Sequence, residues 1–250
     1  MICALLIGRK NSKGFPKKNT KKILGKYLCE YSLSAAKTSK FVERIYVSTD
    51  CPIIKNVSKN KYKAILLHRP KKLVTDKALG EDVFKNGYNQ IKDQLKKENK
   101  KISILILLFA NVATIDFKLI DKGIKILKKN KQFDSAVSTS VYNMWSPLRA
   151  RKLDKDGSLK PFVPFKTFGN PKTLNCDRDS QGDVYYADMA VSVVRPKCLD
   201  NIENGLLPQK WMGKRIAPIF SEAGFDLDYK WQVPQAEYWI KHNRKKKFNK

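Results

Sequence analysis

The sequence predicts an α/β fold in which a mostly parallel sheet is flanked by helices and interrupted by one long insertion. Three observations carry that reading. The apolar runs Met1–Ile7 and Ile102–Phe109 are continuous rather than alternating, as in strands buried on both faces. Segments with helical spacing stand between the strand-like runs, so β and α alternate through the first half of the chain. From 143 to 182 the pattern breaks, and Pro147, Pro161, Pro164 and Pro171 stand among glycines. The alternation implies a Rossmann-like sheet. An insertion of that length reads as a flap or a dimerisation contact. The 250 residues suffice for one such domain over 1–250, with 143–182 inside it.

In order, Met1–Ile7 is the first strand, 8–26 a glycine- and lysine-rich loop, and about 28–38 a helix. Arg44–Asp50 reads as a second strand ending in a turn, 52–60 as a short helix, and Ala64–Leu67 as a third strand. Val83, Phe84, Gly87, Tyr88, Ile91 and Leu95 recur at helical spacing and predict an amphipathic helix over 81–98. Ile102–Phe109 is the central parallel strand, and Phe117, Ile120, Ile124 and Leu127 mark the next helix. Ser135–Tyr142 and Asp183–Arg195 read as strands on either side of the insertion. Gly224–Asp228 reads as a last short strand. Pro234–Lys241 reads as a helix opened by its proline, and Lys241–Lys250 as a frayed basic tail.

The stretch Gly8-Arg9-Lys10-Asn11-Ser12-Lys13-Gly14-Phe15-Pro16-Lys17-Lys18-Asn19 organises the functional reading. It leaves the carboxyl end of the first strand, where open α/β sheets bind ligands. Gly8 and Gly14 let the backbone approach a ligand closely. Arg9, Lys13, Lys17 and Lys18 can hold phosphate oxygens, the arginine bidentately. Five residues separate the glycines and Phe15-Pro16 follow, so this is neither a Walker A loop nor a dinucleotide fingerprint. A merely solvated basic loop would not place small, rigid and cationic residues each at a set position.

Formal net charge is +28. Only nine of the 51 basic residues are arginine, and the lysines are spread along the whole chain. A nucleic-acid surface favours an arginine-rich stripe with interleaved aromatics. The charge therefore reads as lysine-rich composition, with weak attraction to polyanions and no specific nucleic-acid partner. Cys3, Cys29, Cys51, Cys176 and Cys198 are odd in number and form no C-x-x-C pair. That argues against a disulfide framework or a zinc site and points to the cytoplasm. The first apolar run lacks a charged leader segment, and Ile102–Ala113 is too short to span a bilayer, so no membrane partner is expected. His68 and His242 have no evident catalytic partner, which disfavours Ser-His-Asp or Cys-His chemistry. Nucleotidyl transfer needs no such triad, because positioning and charge neutralisation do most of its work.

Asp226 and Asp228 stand two apart, a spacing that puts both carboxylates on one face of a strand. Alone, such a pair reads as a solvated turn. Beside a phosphate-type loop it becomes the best candidate to hold Mg²⁺, or Mn²⁺ in its place. Arg69-Pro70, followed by Leu73 and Asp76, falls at the end of the third strand. That puts Arg69 on the same sheet edge as the basic loop, as a candidate nucleotide contact.

The loop from Arg9 to Asn19 closely resembles the signature loop of the CMP-sialic acid synthetases (acylneuraminate cytidylyltransferases). Gly25-Lys26, Ile45–Asp50, Arg69-Pro70-x-x-Leu73-x-x-Asp76 and Asp226-x-Asp228 follow in the family's order. The resemblance covers most of 1–135 and, loosely, the C-terminal stretch. It implies a nucleotidyltransferase that activates a 2-keto sugar acid with CTP, giving a CMP-sugar and pyrophosphate for surface glycans such as lipopolysaccharide or capsule. By that resemblance Arg9, Ser12, Lys13 and Lys18 hold the triphosphate, Asn19 and Arg69 contact the nucleoside, and Asp226 and Asp228 hold Mg²⁺. Arg9, Lys13, Lys18 and Asp228 form the implied catalytic set. Gly8, Gly14 and Gly80 complete the nucleotide site, Gly80 standing where the family has a serine. A homodimer is implied, with the inserted region reaching over the partner's site.

The sugar end departs from the family. Phe109-Ala110-Asn111-Val112-Ala113 replaces Gln-Pro-Thr-Ser-Pro, and Asp188-Met189-Ala190 replaces Asn-Gly-Ala. Phe109, Asn111 and Asp188 are therefore the expected substrate contacts, and the expected acceptor is a different acid, such as one of pseudaminic or legionaminic type, or a more distant sugar. Two other readings stay open: a nucleotidyltransferase of this fold for another sugar or alcohol, and a non-enzymatic basic nucleic-acid-binding protein.

Overall fold

The computed structural model describes residues 1–11, 14–178 and 180–245. β1 (Ile2–Gly8) leads into the basic loop, which holds a 3-10 turn at Lys18–Thr20 and a hairpin of β2 (Lys22–Ile23) and β3 (Lys26–Tyr27). Then α1 (Cys29–Thr38), β4 (Arg44–Thr49), α2 (Pro52–Tyr62), β5 (Ile65–Leu67), α3 (Gly80–Lys97), β6 (Ile104–Phe109) and α4 (Phe117–Lys129) alternate. β7 (Ser135–Val141) is followed by a second hairpin, β8 (Arg151–Leu153) with β9 (Leu159–Pro161). β10 (Tyr185–Val194), α5 (Pro196–Asp200), β11 (Ile216–Phe220) and α6 (Val233–Lys245) complete the order.

Seven strands form one sheet in the order β11-β7-β10-β6-β1-β4-β5. Only β10 runs antiparallel to its neighbours, so the expected α/β class with a mostly parallel sheet is observed. Alternation along β1 explains its continuous apolar run. Ala4 and Leu6 join the core with α1, α2, α4 and α6, while Cys3, Leu5 and Ile7 pack with α3. In α3 the stripe Val83, Phe84, Tyr88, Ile91 and Leu95 is buried on that second face, as its spacing requires. Packing on both faces holds the carboxyl ends of β1, β4 and β6 side by side, and the loops that matter leave from that edge.

Several differences from the sequence reading have physical causes. Gly224–Asp228 forms no strand. It makes one antiparallel bridge, Val112 with Asp226, to the segment after β6. Its backbone is satisfied there by Thr114, whose Oγ1 accepts from Phe225 N at 2.9 Å and donates to Phe225 O at 3.0 Å. The last strand is β11, hidden from the reading because Pro218 breaks its pattern. Proline is tolerated because β11 is an edge strand paired only with β7. The reversal of β10 follows from topology, since a connection between adjacent strands without a crossover returns the chain antiparallel. The insertion is not wholly irregular, for it carries the β8–β9 hairpin and short 3-10 turns. At the C-terminus Pro234 is the second helical residue, and the helix runs through the expected tail to Lys245, while 246–250 lie outside the described residues.

All five cysteines are free, and four are buried. Burial pushes the Cys3 and Cys198 thiols up to about 11 and that of Cys29 up to about 12, so they pack as small apolar groups. Among the described residues no helix is long and apolar enough to cross a membrane.

Candidate active site

Gly8 ends β1 against Ala110, the residue that follows β6. A methyl added there would overlap the Ala110 side chain and stand 3.4 Å from Ile54 Cδ1. Only glycine lets the chain turn out of the sheet at this point. The loop is then tied down at several places. Lys10 N donates to Asp50 Oδ1 at 2.8 Å, and Asn19 Nδ2 donates to Arg9 O at 2.8 Å, closing the loop on itself. Asn19 is buried and its Oδ1 has no hydrogen-bond partner. Phe15 is buried as an anchor, and Lys17 takes a left-handed φ of 57° at the start of the turn that presents Lys18. Ser12 and Lys13 lie outside the described residues.

Two cations of this loop are held by acids from distant segments. Arg9 Nη1 pairs with Asp76 Oδ1 and donates to Thr75 O at 3.3 Å. Lys18 Nζ pairs with Asp228 Oδ1, 210 residues away in sequence. Gly14 lies against the same aspartate, since a Cβ there would stand 3.1 Å from Asp228 O. The Lys18 side chain is 14% exposed and that of Asp228 51%, so the acid reaches solvent.

Asp226 is more enclosed. Asn111 Nδ2 donates to its Oδ2 at 3.0 Å, and Leu227 N donates to Asn111 O at 2.8 Å. Burial, and after it the charge of Asp228, push the Asp226 carboxyl above the usual aspartate range; the Asn111 bond and Lys18 offset part of that rise. The two acids are thus neighbours in space, although the strand expected to carry them is absent. Their chemistry fits a divalent cation: two carboxylates, one open to solvent, with an ammonium group already drawn to the open one. Among the described residues there is no cluster of three or more His, Cys, Asp or Glu, so water and phosphate oxygens would complete the ligand set.

The remaining predicted residues are engaged with neighbouring parts of the fold. Arg69 Nη1 donates to Gly8 O at 3.2 Å and Ser48 O at 3.3 Å, while Nε and Nη2 donate to Leu73 O at 3.0 and 2.8 Å. Its guanidinium ties the ends of β1 and β4 to the segment after β5, and burial lowers its pKa. Gly80 is the first residue of α3, where an added Cβ would rest 3.6 Å from the Phe109 ring. Phe109 packs edge-on to Phe84 at 5.1 Å and beside Trp211 at 6.1 Å.

Asp188 is 5% exposed and sits where the β7–β10 register shifts between Ala187 and Ser192. Ser140 and Ser221 donate to its Oδ2 at 2.7 and 2.9 Å, Ser138 donates to Oδ1, and Ala190 N reaches Oδ1 at 3.1 Å. The three residues expected to bind the acceptor therefore have their side chains engaged within the fold: Phe109 in the aromatic cluster, Asn111 on Asp226, Asp188 in a serine cage.

Sequence reasoning passes over Gln232, Thr114 and the pairing of Arg9 with Asp76. Gln232 Oε1 accepts from Asp228 N at 2.7 Å and Tyr229 N at 2.8 Å, fixing the backbone of the solvent-facing acid. Its place three residues after Tyr229 is capping-box spacing, the one local signal available.

The sequence model of a cytidylyltransferase family matches residues 3–157. Over 170 residues the chain is 27% identical to the pseudaminic acid cytidylyltransferase and UDP-2,4-diacetamido-2,4,6-trideoxy-β-L-altropyranose hydrolase of Helicobacter pylori, covering 68% of this chain and 31% of that protein. Over 86 residues it is 34% identical to an N-acylneuraminate cytidylyltransferase of Escherichia coli, covering 34% of this chain and 20% of the relative. The chain thus spans less than a third of the length of either curated relative. Among solved structures, a CMP:2-keto-3-deoxy-manno-octonic acid synthetase complexed with CTP superposes with a TM-score of 0.65 at 12% identity, covering 97% of this chain and 99% of the other. The 4-diphosphocytidyl-2C-methyl-D-erythritol synthase of Anaerococcus prevotii gives 0.59 at 13% identity, with 96% of each chain covered. These two likenesses are of fold.

Proposed function

Because this chain belongs to the cytidylyltransferase family, we propose that it transfers CMP from CTP to the anomeric hydroxyl of a 2-keto sugar acid and releases pyrophosphate. The observation that carries this reading is the meeting of Lys18 with Asp228 beside Asp226. It joins a phosphate-type loop and a paired-carboxylate site into one place. The acceptor oxygen bonds to the α-phosphorus as the bond from that phosphorus to the bridging oxygen of pyrophosphate breaks, and the hydroxyl proton leaves to water. Arg9, Lys13 and Lys18 hold the triphosphate oxygens, with Ser12 as a hydroxyl donor. Lys18 turns from Asp228 to phosphate, and Arg9 from Asp76, so each cation exchanges one anionic partner for another. Asp226 and Asp228 would hold Mg²⁺, with Mn²⁺ as a substitute, and the ion when bound neutralises phosphate charge. Gly8 and Gly14 let the backbone close on the nucleotide, Asn19 fixes the loop's return, and Arg69 and Gly80 shape the edge around it.

The two relatives named for pseudaminic and N-acylneuraminic acids support a sialic-acid-like acceptor. Phe109–Ala113 offers that acceptor no free side-chain hydrogen bond, because Asn111 is bound to Asp226. A sugar hydroxyl buried there would lose its partners at about 1–3 kcal/mol each. The preferred acid is therefore less polar at the facing positions, of pseudaminic or legionaminic type, with N-acetylneuraminate a poor substrate. The enzyme acts in the cytoplasm and feeds surface glycan synthesis. It works as a homodimer, since Met144, Trp145, Leu153, Leu159 and Phe162 expose apolar side chains along the insertion, a surface that a second copy covers. Light scattering should give a dimer mass.

The test is pyrophosphate release with CTP, Mg²⁺ and a panel of N-acetylneuraminate, pseudaminate, legionaminate and 2-keto-3-deoxy-octonate. Release should need both CTP and an acid, stop with a chelator, and be lost in Lys18→Met and Asp228→Asn. No release with any acid, or salt-sensitive RNA binding without turnover, would overturn the reading.

A further inference from the structure

Tyr229 and Trp231 stand 55% and 64% exposed on the turn that opens α6. Their rings are nearly parallel, 12° apart, with centroids separated by 6.1 Å. They present flat aromatic surface to solvent in one orientation. The backbone beneath is fixed by Gln232, which caps both Asp228 N and Tyr229 N. The pair begins one residue after Asp228, whose carboxylate meets Lys18 and whose carbonyl abuts Gly14. It therefore borders the point where the reacting phosphate would be held.

The loop has two flanks. Asp76 and Arg69 lie on the β4–β5 side, Arg69 bonding to Ser48 at the end of β4. Asp226, Asp228 and the aromatic pair lie on the β6 side, joined to it through Asn111 and the Val112–Asp226 bridge. If the nucleoside takes the Arg69 flank, as the family resemblance implies, the β6 flank is left to the acceptor.

We infer that Tyr229 and Trp231 form a platform on which the acceptor's sugar ring packs, and that the pair sets acceptor affinity. This rests on the reading above that the acceptor is a sugar acid. The face of an aromatic ring is negative and attracts the slightly positive C–H edges of a pyranose. Such stacking orients a ring without side-chain hydrogen bonds, which Phe109, Asn111 and Asp188 do not supply here. Deoxy and acylamino positions add apolar surface and strengthen the contact.

The test compares Trp231→Ala, Tyr229→Ala and Trp231→Phe with the wild type, using pseudaminate and N-acetylneuraminate as probes. Acceptor KM should rise about tenfold in each alanine variant, the scale of one aromatic stacking contact, with kcat and the KM for CTP little changed. Trp231→Phe should restore most of the affinity. The change in tryptophan fluorescence on adding pseudaminate alone should be lost in Trp231→Phe. An unchanged acceptor KM would overturn the inference. A raised KM for CTP alone would put the cytosine ring on the platform instead, and a variant that dissociates from dimer to monomer would give the surface to a second copy. If the wild type turns over no acid at all, the cytidylyltransferase reading falls. The fluorescence titration then still decides whether the pair binds a sugar acid.

Discussion

Replacing Asp188 with alanine should unsettle the β7–β10 end of the sheet and leave acceptor recognition untouched. The carboxylate receives four donors. Ser138 Oγ accepts from Val191 N at 2.9 Å and turns its proton to Asp188. Ser140 Oγ accepts from Gly224 N at 2.9 Å and stands 3.4 Å from Ser221 Oγ, so without Asp188 one of these two hydroxyls can donate to the other and the second is left over. Alanine would thus orphan two hydroxyls and Ala190 N at about 1–3 kcal/mol each, less the relief of no longer burying a charge, for a net cost of roughly 3–5 kcal/mol. For a chain of this size that lowers Tm by roughly 6–20 °C. Asp188→Asn keeps an acceptor for Ser138 and Ala190 and turns an amide toward Ser140 and Ser221, of which only Ser221 can accept freely. It should fall between the two, at roughly 1–2 kcal/mol. Calorimetry on the three proteins, with acceptor KM measured well below each Tm, separates the cases. An alanine variant that melts with the wild type while its acceptor KM climbs would refute the cage and make Asp188 a substrate ligand.

Three other predictions concern the edge of the site and its supports. Gly8→Ala should cost about 1–3 kcal/mol through overlap with Ala110, and the double variant with Ala110→Gly should recover most of it in urea unfolding. Asp226→Asn should melt above the wild type at neutral pH without divalent ions, because a carboxyl held above its usual range by burial and by Asp228 contributes less stability as pH rises through that raised value. The gain should vanish below the ordinary aspartate value, and the thermal shift given by Mg²⁺ should be lost; no gain at neutral pH would refute the assignment. Burial pushes Glu30 up, but the bonds from Lys61, Tyr27 N and Tyr62 outweigh it and hold it below the ordinary glutamate value. Its stabilisation is complete above the unfolded value and lost as pH falls through the folded one, so Glu30→Gln should flatten the acid limb of a Tm-versus-pH curve.

The elements legible in the sequence are those whose pattern answers to one cause. α3 shows its apolar stripe because a single face is buried, and β1 and β6 read as strands because both faces are. β11 was hidden because its proline is tolerated only at a sheet edge, and edges are a property of the finished sheet. The false strand at Gly224–Asp228 has an extended segment's composition. Its hydrogen bonds go to Asn111, Thr114, Ser140, Tyr142 and Gln232 separately, and no ladder forms.

The same distinction runs through the site. Gly8, Arg9 and Lys18 state their chemistry locally, through size and charge. Asp76, Gln232 and the bond from Asn111 to Asp226 depend on which distant segment arrives beside them, and no spacing encodes that. Asn111 is the only polar side chain between Phe109 and Ala113, which makes it a substrate candidate in the sequence; in the structure its amide donates to the Asp226 carboxylate. Asp188 has only a partial signal in the sequence, the i, i+2 spacing of Ser138 and Ser140. Ser138 and Ser140 stand two apart on β7, both buried and therefore on one face. A buried strand face with two hydroxyls needs an acceptor. Asp188, on the strand paired with β7, supplies it. That demand explains why an aspartate fits at this point of β10.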